Sequence, residues 1–225
     1  MGLFNWWYNS EPKKEIEKNA PPKKGAALFI DVVRREFWEL CKLNLLMILF
    51  CIPIVTIPAA TVATSKVLML MLMDRPFYTF EAFFSTFKAE WKSASVAGLI
   101  YFPLLLAAIF GLYFYSVILP NFLLYAGAMF TCTLVLMAGI YLFPMIALLD
   151  LGARGIAKNS ILLTFSRIPQ NIAALLAAGL WILLVLAFFP ITTPLVLLLL
   201  LSGSALITNF CAFSGLKKII KEDLP

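Results

Sequence analysis

Long apolar segments dominate this sequence and restrict the chain to folds that use a lipid bilayer as part of their solvent. Of its 225 residues, 62% are hydrophobic and only 13% are charged, whereas soluble domains carry about 25% charged residues. A water-soluble fold cannot hide this much apolar surface. The composition therefore predicts an integral membrane protein, and the length of the apolar segments favours α-helical spans.

The charged and reactive residues exclude several functional classes. The net charge is +6, and the basic residues flank apolar segments, which is typical of topology signals and headgroup contacts rather than nucleic-acid binding. Histidine is absent, which removes the commonest general base and metal ligand. The four cysteines lack metal-ligand spacing, so we expect buried thiols at Cys41, Cys51, Cys132 and Cys211.

The apolar stretch 43–73 decides the predicted topology. As one straight helix it would be roughly 46 Å long, against a hydrocarbon core of about 30 Å. Pro53 and Pro58 lie near its middle, and proline interrupts the helical hydrogen-bond ladder. We therefore predict a hairpin, which places every cluster of Lys and Arg on the cytoplasmic side, as the positive-inside rule prefers. A re-entrant hairpin that stays within the membrane is the alternative.

The complete prediction is an all-α, polytopic transmembrane helical bundle of about six spans, arranged as three hairpins with short external turns. Residues 1–25 are predicted to be a flexible cytoplasmic segment, 26–216 the transmembrane domain and 217–225 a cytoplasmic tail. Both termini are predicted to be cytoplasmic, in the cytoplasmic membrane of a bacterium. The predicted spans are about 37–56, 58–73, 95–119, 122–149, 171–189 and 195–213.

Two polar segments between spans are predicted to be amphipathic cytoplasmic helices. In 77–92 an aromatic stripe opposes charged residues, which is typical of a helix on the inner leaflet or against a partner. In 150–169, Asp150 is positioned to cap a helix, and Arg154 and Lys158 follow one turn apart. Nearby small residues allow another backbone to approach, so this helix is a candidate docking surface. The aromatic stripe comprises Phe80, Phe84, Phe87 and Trp91.

Three polar residues within the apolar stretch are candidate functional or helix-contact residues. Lys66 is the one ionisable side chain inside such a stretch; it is either a functional charge or a side chain that snorkels toward the interface, about 12 Å away along a helix. Asn44 and Thr56 lie on the first predicted span. We expect them to form hydrogen bonds across the hairpin.

No combination of residues indicates catalysis. The sequence holds 12 acidic residues, and none forms a pair deep in a span, as an intramembrane aspartyl protease would need. Serine and threonine occur without an accompanying base, and no glycine-rich phosphate loop is present. We therefore predict a protein that is not an enzyme and binds no cofactor, metal or nucleic acid.

Two sequence blocks carry a family resemblance. Residues 37–46 (FWELCKLNLL) followed by 53–59 (PIVTIPA), together with 87–92 (FKAEWK), resemble the YesL-like family of bacterial integral membrane proteins, which has no assigned function. Length and span order agree over nearly the whole chain. Members are typically encoded beside carbohydrate ABC importers and glycan-degrading enzymes, so the resemblance implies a role near such importers.

Three functions remain open from the sequence. The first is an accessory or assembly subunit that binds the permease and ATPase subunits of a carbohydrate ABC importer. The second is an autonomous or homo-oligomeric transporter of a small solute. The third is a membrane enzyme acting on lipid-linked sugars, which the absence of histidine and of deep carboxylates disfavours.

Overall fold

The computed structural model describes residues 25–149, 151–188 and 193–223, and within these ranges the chain forms nine α-helices and no β-strand. Residues 1–24 of the predicted segment 1–25, Asp150, residues 189–192 at the predicted turn after the span 171–189, and the last two residues of the predicted tail lie outside them. The helices are α1 (Ala26–Arg35), α2 (Phe37–Cys51), α3 (Ile57–Leu72), α4 (Thr79–Ala89), α5 (Trp91–Tyr113), α6 (Phe122–Leu148), α7 (Ala153–Ser166), α8 (Ile168–Ala187) and α9 (Thr193–Asp223).

The all-α helical bundle is confirmed. Within the described ranges, five helical segments are long and apolar enough to cross a membrane. Large apolar side chains on several of these helices are exposed, as expected of surfaces that face lipid. The five segments are Ile54–Leu72, Trp91–Ile118, Phe122–Leu148, Ile168–Ala187 and Leu199–Lys217.

The first predicted span, 37–56, differs from the others. Helix α2 has 15 residues, about 22 Å in length, which is shorter than a hydrocarbon core of about 30 Å. It ends at Cys51, two residues before Pro53, which has no N–H to donate to the helical ladder and has an extended backbone. Pro58 lies in the first turn of α3, where its missing N–H has no helical partner to lose. The predicted break between these two prolines is therefore confirmed.

Helix α3 is the centre of the bundle. Twelve of its 16 residues are buried, and it contacts α1, α2, α4, α5, α6 and α9. Its first half is rich in small side chains, including Ala59, Ala60 and Ala63, all with no exposed surface. Small residues let several helix backbones approach one another closely, which in a membrane strengthens van der Waals packing.

Helix α4 packs on α2 and α3 instead of lying apart on a membrane surface. Near its start, Thr79 is hydrogen-bonded to Glu39, close to the beginning of α2. Further along, the Phe87 ring centroid lies 4.9 Å from that of Phe50, close to the end of α2. Two contacts in this order mean that α4 and α2 run in the same general direction.

The aromatic face of α4 is therefore divided between the interior and the surface. Phe83, which was not part of the predicted stripe, has no exposed surface and contacts Phe50 at 5.4 Å between ring centroids. The Phe87 ring also packs against the ring of Trp91, with 5.2 Å between the ring centroids. Only Phe80 and Phe84, stacked on each other, remain exposed on the predicted stripe.

The turn between α2 and α3 lies against the start of α5. A Cβ built on Gly98 would lie only 2.2 Å from Pro58 Cγ, so the two backbones approach within a distance that only glycine permits. The turn at 53–58 is thus beside the polar start of α5, which carries Lys92. A full hairpin would place this turn across the membrane from Lys92, whereas the re-entrant alternative keeps the two on one side. The turn and the start of α5 are brought together by ring packing between α2 and α4 and by the Gly98 contact.

The two later hairpins form as predicted. Helices α5 and α6 are antiparallel, with Gly139 against the Tyr101 ring and Gly111 near Ala128 at their other ends. Asn121 caps α6 by accepting hydrogen bonds from the backbone N–H groups of the next turn, at 3.0 and 3.3 Å. Helices α8 and α9 pair in the same way, with Trp181 Nε1 donating to the Leu200 carbonyl at 3.4 Å.

Substituting Gly98 by alanine tests the close approach of α5 and α3. Because the new Cβ would overlap the Pro58 ring, we expect Gly98→Ala to reduce the free energy of unfolding by about 1–3 kcal/mol. The measurement is the unfolding midpoint of detergent-solubilised protein. Gly127→Ala is the matched control, since nothing lies within 4 Å of its added methyl group, and it should be neutral or slightly stabilising. Equal effects of the two substitutions would contradict this packing.

Candidate functional site

Asn44 connects α2 to α9 inside the bundle. Its side chain has no exposed surface, and its Oδ1 accepts a hydrogen bond from the backbone N–H of Ser202 at 2.8 Å. The sequence predicted a bond across the α2–α3 hairpin; this bond links α2 to a helix 158 residues later. Sequence proximity favoured the hairpin partner, whereas packing places α9 against α2.

Further polar side chains are buried on α3 and α9. Asn209 Nδ2 donates to the carbonyl of Ala205 in its own helix at 2.8 Å, which leaves its Oδ1 without a hydrogen-bond partner in the protein. The hydroxyls of Thr64 and Ser202 are likewise buried without a partner. We call these residues, together with the buried Asn44 and Ser65, the polar seam. Such groups are costly in an apolar interior and mark functional positions in membrane helices.

Thr56 and Lys66 occupy different surroundings. The Thr56 hydroxyl donates to the carbonyls of Phe50 and Pro53, so it closes the hairpin turn and acts within the hairpin. Lys66 is half-buried between the buried residues Ser65 and Val67 and is engaged with another group. Lys66 therefore lies on the helix at the centre of the bundle, with part of its side chain exposed.

A charged cluster, which the sequence did not predict, joins α1, α2, α3 and α4. Arg35 contacts Glu36 at 3.1 Å and Asp74 at 2.7 Å. Glu39 accepts from Lys42 Nζ at 3.0 Å and from the Thr79 hydroxyl at 2.5 Å. Both glutamates are buried, and a buried carboxylate requires such partners. The spacing of charges along 35–42 was a sequence signal for ion pairs. The sequence carried no signal for the partners that follow α3 and begin α4, Asp74 and Thr79.

A second cluster, also missed by the sequence, fixes the junction of α7 and α8. Tyr141 Oη donates to Asn171 Oδ1 at 2.6 Å, and Asn171 Nδ2 donates to the Thr164 carbonyl at 3.1 Å. Arg167 Nη1 donates to the Ser214 hydroxyl on α9 at 2.9 Å. Asn171 is an amide at the start of an apolar span, and that position was the sequence signal for a helix contact.

Helix α7 carries the last two candidate residues, and both are exposed. Arg154 and Lys158 lie one turn apart in its first two turns. The helix runs along α6 in the opposite direction, since Ala153 faces a groove shared with Leu149 and Phe165 lies beside Phe130 and Leu134. Gly152 occupies the N-cap position that was predicted for Asp150.

The candidates therefore separate into two groups. Asn44 and Lys66 lie on the interior helices α2 and α3, whereas Arg154 and Lys158 lie on the surface of α7. Within the part of the chain that the structure describes, no group of three or more His, Cys, Asp or Glu side chains is arranged to hold a metal ion.

Comparison with known proteins gives a match to a family model. A family model described as "Protein of unknown function, DUF624" matches residues 40–113. The match runs from α2 to the end of α5 and so contains the hairpin, the central helix α3 and the packed helix α4. It includes most of the sequence blocks that carry the resemblance. No curated protein and no solved structure matches the chain.

Removing the Asn44 side chain tests the link between α2 and α9. We expect Asn44→Ala to lower the free energy of unfolding by about 0.6–1.7 kcal/mol, which are the average and the largest contributions measured for hydrogen bonds between membrane helices. Thr131→Ala is the control, because the exposed Thr131 hydroxyl bonds only within its own helix, and it should change stability by less than about 0.5 kcal/mol. An Asn44→Ala protein as stable as this control would show that the bond contributes nothing.

Proposed function

We propose that this chain is a non-enzymatic membrane subunit, an accessory or assembly component of a carbohydrate ABC import system in a bacterial cytoplasmic membrane. The resemblance to the YesL-like family supports the link to carbohydrate import, and the match to an uncharacterised family is consistent with it. Five membrane-length helices support the location in a membrane. In this proposal both termini and α7 face the cytoplasm, as the positive-inside rule prefers.

The exposed cationic start of α7 is the observation that carries this proposal. Arg154 and Lys158 project from a short helix that connects two long apolar helices, and neither is buried against the rest of the chain. The small residues Gly155 and Ala157 lie beside them, so a partner backbone could approach closely. We call Arg154, Gly155, Ala157 and Lys158 the α7 patch.

The second half of α7 has a different role. Ile161, Leu162 and Phe165 are exposed, but Phe165 lies against the apolar middle of α6. These side chains therefore face lipid, and only the α7 patch remains for a soluble partner. Because the patch is cationic, the partner surface that fits it is acidic, which favours fast and selective association.

Affinity purification tests this role. Tagged protein solubilised from its native cells in mild detergent should retain ABC permease and ATPase subunits. The double variant Arg154→Glu, Lys158→Glu should reduce their recovery by about tenfold or more, because like charges across an interface cost several kcal/mol. Mass spectrometry of the recovered proteins is the measurement.

A matched double variant controls for the change in net charge. Arg75 and Lys88 are exposed cations on other segments, and Arg75→Glu, Lys88→Glu should leave recovery unchanged. Recovery of the wild-type chain alone, as a homo-oligomer, would overturn the accessory role.

The polar seam favours a second candidate, an autonomous transporter of a small polar solute. Three buried oxygens without protein partners, on Thr64, Ser202 and Asn209, could hydrogen-bond a hydroxyl-rich solute within the bundle. Polar groups at this depth are typical of substrate pathways in membrane proteins.

Flux measurements separate the two candidates. If the chain is a transporter, vesicles containing it alone should take up a labelled sugar, and Asn209→Leu should reduce that uptake by about tenfold, since a site built on hydrogen bonds loses strongly when one is removed. Arg154→Glu, Lys158→Glu should leave uptake unchanged. No flux above that of empty vesicles would overturn the transporter candidate.

A further inference from the structure

We propose that the groove between α5, α6 and α7 binds a glycerophospholipid, with one acyl chain along the groove and the phosphate at Lys92. The groove has a volume of about 970 Å³ and opens on one side. Side chains of all three helices line it, among them Ala97 and Leu104 of α5, Ala138 and Leu142 of α6, and Ile156 and Ala157 of α7.

The groove exists because α6 contacts both of its neighbours while α5 and α7 diverge. Helix α6 packs closely against α5 and α7. Small side chains at the facing positions, Ala97 on α5 and Ala153 and Ala157 on α7, leave the space between them unfilled. Since α5 and α6 have the length and composition of membrane spans, this space opens toward lipid chains.

Its length fits a single lipid chain. From Ser93 to Leu104 the groove follows α5 over 12 residues, about 16 Å along a helix. One leaflet contributes half of a hydrocarbon core of about 30 Å, so an acyl chain layer is about 15 Å deep. The groove therefore extends from the headgroup region to the middle of the membrane.

The chemistry of the wall fits an apolar occupant. Ser160 and Thr164 are polar residues in the lining of α7, but their hydroxyls donate to carbonyls of their own helix at 3.0 and 2.8 Å. Their hydrogen bonds are satisfied without a ligand. The remaining lining of α7 and α6 is almost entirely aliphatic or aromatic, so a sugar or a peptide would leave its own polar groups unpaired there.

Charge is confined to one end of the groove. Glu90, Lys92 and Ser93 line it at the start of α5, and the α7 patch begins next to the same end, at the residue after Ala153. A lysine near a membrane surface attracts lipid phosphate, and the carboxylate of Glu90 beside it can accept a hydrogen bond from a headgroup hydroxyl or ammonium group. The charged end of the groove complements the headgroup of a phospholipid, and the apolar remainder of the groove complements its acyl chain.

Native mass spectrometry of the purified full chain in detergent tests this site. Dioleoyl phosphatidylglycerol should bind about fivefold more tightly than dioleoylglycerol, the preference expected from one lysine near the phosphate. Lys92→Gln should remove that preference, and Lys88→Gln, which changes an exposed lysine outside the groove, should preserve it. Persistence of the preference in Lys92→Gln would overturn the assignment of the headgroup.

Filling the groove with a larger side chain tests the position of the acyl chain. Ala157→Phe or Ala153→Phe should weaken binding of both lipids several-fold, because the new ring occupies the groove. Both alanines are exposed, so the fold should tolerate the change, which circular dichroism and size-exclusion chromatography check. Leu162→Phe, on the same helix and outside the lining, is the matched control. Equal lipid binding by the filled and control variants would overturn the proposal.

Discussion

Close packing around α3 is the interaction on which the rest of this structure depends. Helix α3 contacts six other helices, which requires small side chains, because each added methylene holds a neighbouring backbone further away. The alanines of its first half and the approach of Gly98 to Pro58 satisfy that requirement. Once α3 is enclosed, α2 and α4 must lie alongside it, and α5 and α6 cover the remaining side.

Hydrogen bonds between distant elements then fix the orientation of these helices. In an apolar environment packing alone discriminates weakly between rotations of a helix, whereas an unpaired polar group makes a wrong rotation costly. Asn44 with Ser202, Glu39 with Thr79 and Tyr141 with Asn171 each connect two helices in this way. In each of the three bonds, at least one of the bonded side chains is buried.

The possible functional features lie on separate parts of the molecule. The polar seam is enclosed by α2, α3 and α9, the α7 patch is exposed, and the lipid groove opens between α5 and α7. A partner on the α7 patch and a lipid in the groove would share Ala157, but Arg154 and Lys158 of the patch, Lys92 of the groove and Asn209 of the seam can each be altered separately. The family match covers α2 to α5, which includes one wall of the groove and part of the seam, but not the α7 patch.

The sequence by itself determined the class of fold, because the length of its apolar segments and its scarcity of charge leave few alternatives to a bundle of membrane helices. It also located the break at Pro53 and Pro58 and the turn before Asn121, since proline and capping residues act on their immediate neighbours. Only the tertiary structure decided that α4 packs inside, that Phe83 and not Phe84 is its anchor, and that Asn44 bonds to α9. Those outcomes depend on which helix faces come together, and residues far apart in sequence contribute to each face.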